Sequence, residues 1–446
     1  MRWRRLLAIA VALSVCGRLL TAWGADDDPQ SRAERRAVQS QLHARSAQQR
    51  AEAVRRLTEF PAVDGAKLAL QAGLTDHEQD VRQAAYSTLL TWKENDEVSS
   101  FLLKSLERDS HGKNLSTQIL PLAVLVASES GEIQKRLDKF FDSHLASSKD
   151  GAAVVGAIAD ALGRQADPQS VATLKRLAAK KFVWDTYACR RAVIQSLVEI
   201  RQPEAVTALV ACLPKLDGEV RGDVVELLEE ISGQQYGLDA PAWQAWWTKH
   251  ADGFEFPNKP VDRTDVDVVP KGVSSYYGFP LYARRIVFVI DISGSMTGLR
   301  ITAAKRELTA AINGLSSDAE LGIVAFHSRV FVWRANLVRA DAAGKQSAGQ
   351  YVYQLTPGGK TATYDALEAA FRLEPEAIYL LSDGAPNCGR IPMPAAIVNT
   401  VTATNRAHRI SIYCFGIAPG PPESPMELFM KTLAEQNFGR YRRLEQ

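Results

Sequence analysis

Cysteine is scarce in this chain of 446 residues, with five in all. Four of them, Cys189, Cys212, Cys388 and Cys414, lie beyond the first 25 residues, and none forms a CxxC pair. That spacing argues against a zinc site. Net charge is also small, at +2. Binders of nucleic acid carry concentrated positive charge, so no nucleic-acid partner is expected. Beyond the N-terminus no apolar run reaches the ~18 residues needed for a membrane span, so the mature chain should have no transmembrane segment. Catalytic signatures are missing too. There is no GxSxG elbow and no HExxH helix. The "GKT" at 359–361 does not complete a phosphate loop, because Gln354 stands where the first glycine of GxxxxGK[ST] should fall.

What is present begins with a leader. "MRWRRLLAIAVALSVCGRLLTAWGA" carries Arg2, Arg4 and Arg5, an apolar run from Leu6 to Gly17, and small residues at Ala22 and Gly24. This is the layout of a signal peptide over residues 1–24, and the apolar run is too short to span a bilayer. A lipoprotein site at Cys16 ranks second, since Val15 before it is bulky. The mature protein is expected to be exported to the periplasm, cell surface or extracellular space. In that setting 189–212 and 388–414 stand as candidate disulfides, with four small buried hydrophobes as the alternative.

The remaining length calls for two or three domains. Residues 30–250 read as successive helices, with apolar residues three and four apart: Val54 and Leu57; Val81, Ala85 and Leu89; Val220, Val224, Leu228 and Ile231. The segments 161–174 and 196–209 align at an offset of 35, which places Leu162 on Leu197, Pro168 on Pro203, Val171 on Val206 and Leu174 on Leu209. Repeated helical hairpins stack, because one pair alone cannot bury its apolar face. The stretch resembles HEAT-type repeats, roughly five or six by repeat length, and implies an all-α solenoid. Residues 101–150 fit the pattern poorly. Trp243, Trp246 and Trp247 share one helical face; sealing of the last repeat is the expected role, with a carbohydrate surface as the alternative.

Residues 251–280 read as a linker, alternating charge with proline. From 281 to 446 strands alternate with helices. Strands are expected at 286–290, 319–326, 330–333, 377–381, 410–417 and 439–444, and helices at 300–314, 363–372, 393–408 and 425–436. The short "HSR" (327–329) forces the second and third strands to be antiparallel. The rest implies a doubly wound, mostly parallel α/β sheet covered on both faces.

In such a sheet ligands bind at the carboxyl ends of the strands, where strand order reverses. If the hairpin strands pair outward, that crevice lies between strands 286–290 and 377–381. "DISGS" (291–295) and "SDG" (382–384) then meet, joined by "PGGKTATYDAL" (357–367). The set offers two carboxylates and several hydroxyls, with no imidazole or thiolate at the strand ends. All-oxygen donors select hard cations, Mg²⁺ with Mn²⁺ or Ca²⁺ as alternatives. In this order "DISGS", "GGKTATYDAL" and "LLSDG" resemble the metal-ion-dependent adhesion site of the von Willebrand factor type A (VWA) domain. The ending "LAEQNFGRYRRL" (433–444) fits the last helix and strand of that family. The resemblance implies that Asp291, Ser293, Ser295, Thr361 and Asp383 hold the metal, directly or through water. It implies that an acidic residue of a protein partner completes the shell. The pairing of helical repeats with this domain is associated with exported bacterial proteins.

One departure is Lys360, directly before the threonine, whose ammonium either competes with the metal or points outward. Thr363 is expected as a helix cap, Asp365 as a first-turn acid, and His327 as an exposed turn residue. A phosphatase-like pair of carboxylates is not available, because Ser293 occupies the second acidic position and cannot do acid–base work near pH 7. The chain therefore reads as a non-enzymatic interaction protein. The alternatives are that the helical solenoid is the main binding surface, with the C-terminal domain passive, or that the chain is a metal-dependent hydrolase.

Overall fold

The computed structural model describes residues 29–109, 116–146, 151–165, 168–257, 269–270 and 272–444. The expected leader and residues 258–268 of the expected linker lie outside them. The chain divides into two compact units, Met1–Asp109 and Ser110–Gln446.

The first unit contains helices α1 (Pro29–Gln41), α2 (Ala47–Arg55), α3 (Ala62–Thr75), α4 (Gln79–Leu90) and α5 (Asp96–Asp109). The apolar positions read from the sequence are its core: Val54, Leu57, Val81, Ala85 and Leu89 are buried. α2 and α3 both pack on α4.

The second unit begins with further helices: α6 (Ser116–Val126), α7 (Gly131–Phe140), α8 (Gly151–Gln165), α9 (Pro168–Ala178), α10 (Lys181–Asp185), α11 (Tyr187–Glu199), α12 (Pro203–Cys212), α13 (Gly218–Ser232) and α14 (Ala240–His250). The described residues of the stretch that fits the repeat pattern poorly are largely helical as well. Pro121 interrupts α6, and a π-helical turn, Phe141–Leu145, follows α7. Both disturb the 3.6-residue period on which pattern reading depends. The aligned leucines of the internal repeat, Leu162, Leu174, Leu197 and Leu209, are all buried. α11 packs against both α8 and α13. Trp243 and Trp247 are buried on α14, and their indole N–H groups donate to Gly237 O at 2.8 Å and Thr207 Oγ1 at 3.0 Å. Trp246, the third residue of that face, is half-buried and stacks on His250.

The α/β part contains β3 (Arg285–Asp291), α15 (Leu299–Gly314), β4 (Glu320–Phe326), β5 (Val330–Val332), β6 (Val338–Arg339), α16 (Ala342–Gln354), α17 (Thr363–Phe371), β7 (Ala377–Ser382), α18 (Pro394–Asn405), β8 (Ser411–Ile417), α19 (Pro425–Glu435) and β9 (Tyr441–Leu444). The sheet order is β5-β4-β3-β7-β8-β9, with β6 paired antiparallel to β4. β3 is parallel to both β4 and β7, and the β4–β5 hairpin is antiparallel, as the short turn requires. Strand alternation builds two cores. Ile286, Phe288 and Ile290 face α15 and α16, while Val287 and Val289 face α17, α18 and α19.

Several elements differ from expectation, the short β6 among them. A hairpin of β1 (Ser275–Tyr276) and β2 (Phe279–Pro280) lies inside the stretch read as linker. Its Tyr276 and Phe279 are buried in the first of those cores, because aromatic rings outweigh the proline and glycine that marked the segment as loop. Helix α16 was also missed. Its sequence holds two glycines and buries only Gly344, Ala348 and Val352, so its amphipathic pattern is faint.

The N-terminal edge of the parallel strands is docked on the helices that precede it. Arg191 on α11 is fully buried. It donates to Asp223 at 2.9 and 3.0 Å, to Arg409 O at 2.7 Å and to Ser411 Oγ at 2.7 Å. Arg409 reaches back to Asp160 Oδ1 at 2.5 Å and to Gln195 Oε1 at 3.1 Å. Glu376, just before β7, accepts from the backbone N–H of Glu219 at 3.1 Å and from that of Arg284 at 2.9 Å. It thereby caps α13, a favourable place for an anion. Gly218 has φ +57°, and a Cβ there would lie 2.2 Å from Glu376 Oε2, so only glycine suits the joint.

All four described cysteines are free thiols, with Cys189 and Cys414 buried. The disulfide alternative is therefore not seen, and these two behave as small core residues.

Candidate metal centre

β3 carries Asp291 to the carboxyl edge of the sheet, beside Ser382 at the end of β7. The strand register puts these two residues side by side, and Ser382 Oγ donates to Asp291 Oδ2 at 2.5 Å. Asp291 Oδ1 accepts the Ser293 N–H at 2.7 Å, which closes a tight turn. Asp291 has no exposed surface. Burial pushes its carboxyl up to about 6, the Ser382 and Ser293 hydrogen bonds pull it back, and Asp383 adds repulsion.

The second and third loops close on this turn. Ser293 Oγ lies 3.0 Å from Ser295 Oγ, and Ser295 Oγ donates to Asp383 Oδ1 at 2.7 Å. A methyl group at Gly384 would meet Thr361 Oγ1 at 3.6 Å and Ser295 Oγ at 3.8 Å, so these two hydroxyls flank one point. Asn387 fixes Thr361 by accepting its N–H at 2.9 Å and donating its own N–H to Thr361 O at 3.1 Å. Gly359 O accepts from Gly294 N at 3.1 Å and Gly358 N donates to Ile292 O at 2.8 Å, so the first and second loops are tied through their backbones. Thr361 is only 3% exposed. Ser295 is exposed, so the cluster opens to solvent on that side.

All five residues read from the sequence are thus brought to one place. Their chemistry fits a hard dication. Two carboxylates and three hydroxyls supply only oxygen, the donor set that hard dications take. Among the described residues no group of three or more His, Cys, Asp or Glu forms a softer alternative.

Around the cluster, Thr363 and His327 differ from expectation. Lys360 is exposed, and its ammonium has no partner among the described residues, while its N–H donates to Ser328 Oγ at 2.8 Å. It does not enter the cluster. Thr363 is not the helix cap. Ala362 holds that position, its N–H already bound to His327 O at 3.0 Å, and Thr363 begins α17 with Oγ1 buried and unpartnered. Asp365 is in the first turn, as expected, and pairs with Arg390 at 3.1 Å. His327 is half-buried rather than exposed, packed edge-on against Phe331, with Nδ1 accepting from Arg329 N.

Ser382, Asn387 and Arg300 were missed. Arg300 Nη1 donates to Asp383 Oδ2 at 2.7 Å and to Ser295 O at 3.3 Å. Ser382 stands inside the quoted "SDG", and the strand register alone would have flagged it. No sequence signal marks the other two.

An α/β sheet of this order, with three loops converging on its central crevice, defines a ligand-binding class of domain. Residues 284–443 match the family model of the von Willebrand factor type A domain, and residues 143–229 match that of HEAT repeats. The C-terminal part of this chain is therefore a VWA domain, preceded by HEAT-type helices. Similar curated proteins include inter-alpha-trypsin inhibitor heavy chain H3 of Mesocricetus auratus, 29% identical over 180 residues, covering 37% of this chain and 20% of that protein. Heavy chain H2 of Mus musculus is 28% identical over 174 residues, covering 36% and 18%. The chain spans about a fifth of the length of the curated relatives it matches. Among solved structures, a von Willebrand factor type A protein from Catenulispora acidiphila matches with 24% identity and TM-score 0.32, covering 37% of this chain and 40% of that one. Among the described residues no helix is long and apolar enough to cross a membrane.

Proposed function

We propose that the VWA domain captures a carboxylate-bearing protein partner through a divalent cation, Mg²⁺ in the first instance with Mn²⁺ or Ca²⁺ able to replace it. Asp291, Ser293, Ser295, Thr361 and Asp383 hold that cation, directly or through water. When bound, it supplies a Lewis-acidic position that a partner's carboxylate completes. The residues' own part is to fix the oxygens: Ser382 and the Ser293 N–H orient Asp291, Asn387 orients Thr361, and Ser295 bridges Ser293 to Asp383. The observation that carries this reading is the continuous hydrogen-bonded line Ser293–Ser295–Asp383, built from segments about ninety residues apart in sequence.

In this reading the protein is exported and non-enzymatic. Residues 30–250 form its helical scaffold and 281–446 its binding domain, with the intervening segment joining them. The test is a pull-down from cell envelopes with wild type and Asp291→Ala, each with and without EDTA. Wild type retains a partner that chelator releases reversibly, and Asp291→Ala retains none. Retention that ignores both chelator and substitution overturns the proposal.

A further inference from the structure

Asp383 already has a cation. Its Oδ2 is bound by the Arg300 guanidinium at 2.7 Å and its Oδ1 by Ser295 Oγ at 2.7 Å. The Asp383 side chain is 0% exposed, whereas that of Arg300 is 30% exposed. Arg300 is the second residue of α15, a helix with no acidic residue in its first turn. A positive charge at a helix N-terminus opposes the helix dipole. The carboxylate of Asp383 is therefore what keeps the guanidinium there, together with Ser295 O. This is a different basic residue from Lys360, which stays outside the cluster.

A guanidinium and a divalent cation compete for the same buried carboxylate, because like charges close together in a poorly screened site repel. An arginine with a long stem and partial exposure can swing its head into water while leaving its stem packed. We propose that Arg300 is a tethered counter-ion. It neutralises Asp383 in the metal-free protein, keeps two neighbouring carboxylates from driving the crevice apart, and must release Asp383 before a dication binds. The inference rests on the metal reading above. It makes metal affinity the outcome of an internal competition, so that the apo site is both preformed and guarded.

The test uses full-length protein, Mn²⁺ as the probe, and titration calorimetry on wild type, Arg300→Gln, Arg300→Lys and Lys360→Gln. Arg300→Gln should bind Mn²⁺ at least tenfold more tightly than wild type. Its thermal midpoint should be lower than wild type in EDTA and should recover at saturating Mn²⁺. Arg300→Lys, which keeps the charge, should stay within a few-fold of wild type, as should Lys360→Gln. Mn²⁺ affinity unchanged or weakened in Arg300→Gln, in a protein that melts cooperatively, overturns the counter-ion role alone. Absence of Mn²⁺ binding in all four proteins overturns the metal reading and this inference with it.

Discussion

The two ends of the central strands hold carboxylates in opposite ways. At the N-terminal edge, Glu219, Asp223, Glu376 and Asp160 meet Arg191, Arg409 and backbone N–H groups. Such donors cannot change role: an arginine fork only donates, and so does a main-chain N–H. That edge is a joint between helices and sheet. At the C-terminal edge, Asp291 and Asp383 meet the hydroxyls of Ser382, Ser293 and Ser295, with a single partly exposed arginine. A hydroxyl donates or accepts according to how it turns. These groups can hand lone pairs to a cation without moving the backbone. Arginine forks dominate the structural end of the sheet, beside the hydroxyls of Tyr413 and Ser411, and hydroxyls dominate the binding end.

The largest expected effect lies at the joint. Arg191→Met should cost about 3–5 kcal/mol in urea unfolding, since it removes the buried guanidinium that pairs with Asp223 and bonds Arg409 O and Ser411 Oγ. Asp291→Asn should change stability by no more than about 1 kcal/mol while abolishing Mn²⁺ binding, because burial already disfavours its charged form. Equal losses from the two substitutions would erase the distinction between the edges.

The second effect is in pH. Burial pushes Glu219 up to about 7 from its ordinary 4.5; Arg191 opposes this, Asp223 reinforces it, and hydrogen bonds from Tyr413 and Ser411 pull it down. The folded state therefore favours the proton. That stability is fully present below the ordinary value and is lost as pH rises through 7. Thermal melts of wild type from pH 5 to 8 should lose up to about 3 kcal/mol relative to Glu219→Gln, which cannot titrate. A difference that stays constant with pH would show that Glu219 remains charged throughout.

The smallest effect separates the metal cluster from its neighbour. Thr363 Oγ1 is buried without a partner, so the isosteric Thr363→Val should be neutral or stabilising by up to about 1 kcal/mol and leave Mn²⁺ binding unchanged. A loss of Mn²⁺ binding would move Thr363 into the cluster.

Much of this was readable in the sequence. The apolar runs of β3 and β7, the forced β4–β5 hairpin and the three polar turns pointed to the crevice between β3 and β7. What escaped reading depended on partners remote in sequence. Tyr276 and Phe279 look like loop residues until the core formed by Phe288 and Phe415 stacks on them. Arg300 looks like a solvent-facing helix residue until Asp383, 83 positions away, comes beside it. The joint around Arg191 had no local signature, since its contacts lie up to 220 positions apart.

The sequence by itself determined the element types and the oxygen chemistry of the crevice, because periodicity and donor identity are local properties of a chain. Only the tertiary structure decided which charges are compensated. Compensation is a matter of distance and burial, and folding alone sets Arg191 permanently between its carboxylates and Arg300 at the edge of the metal centre.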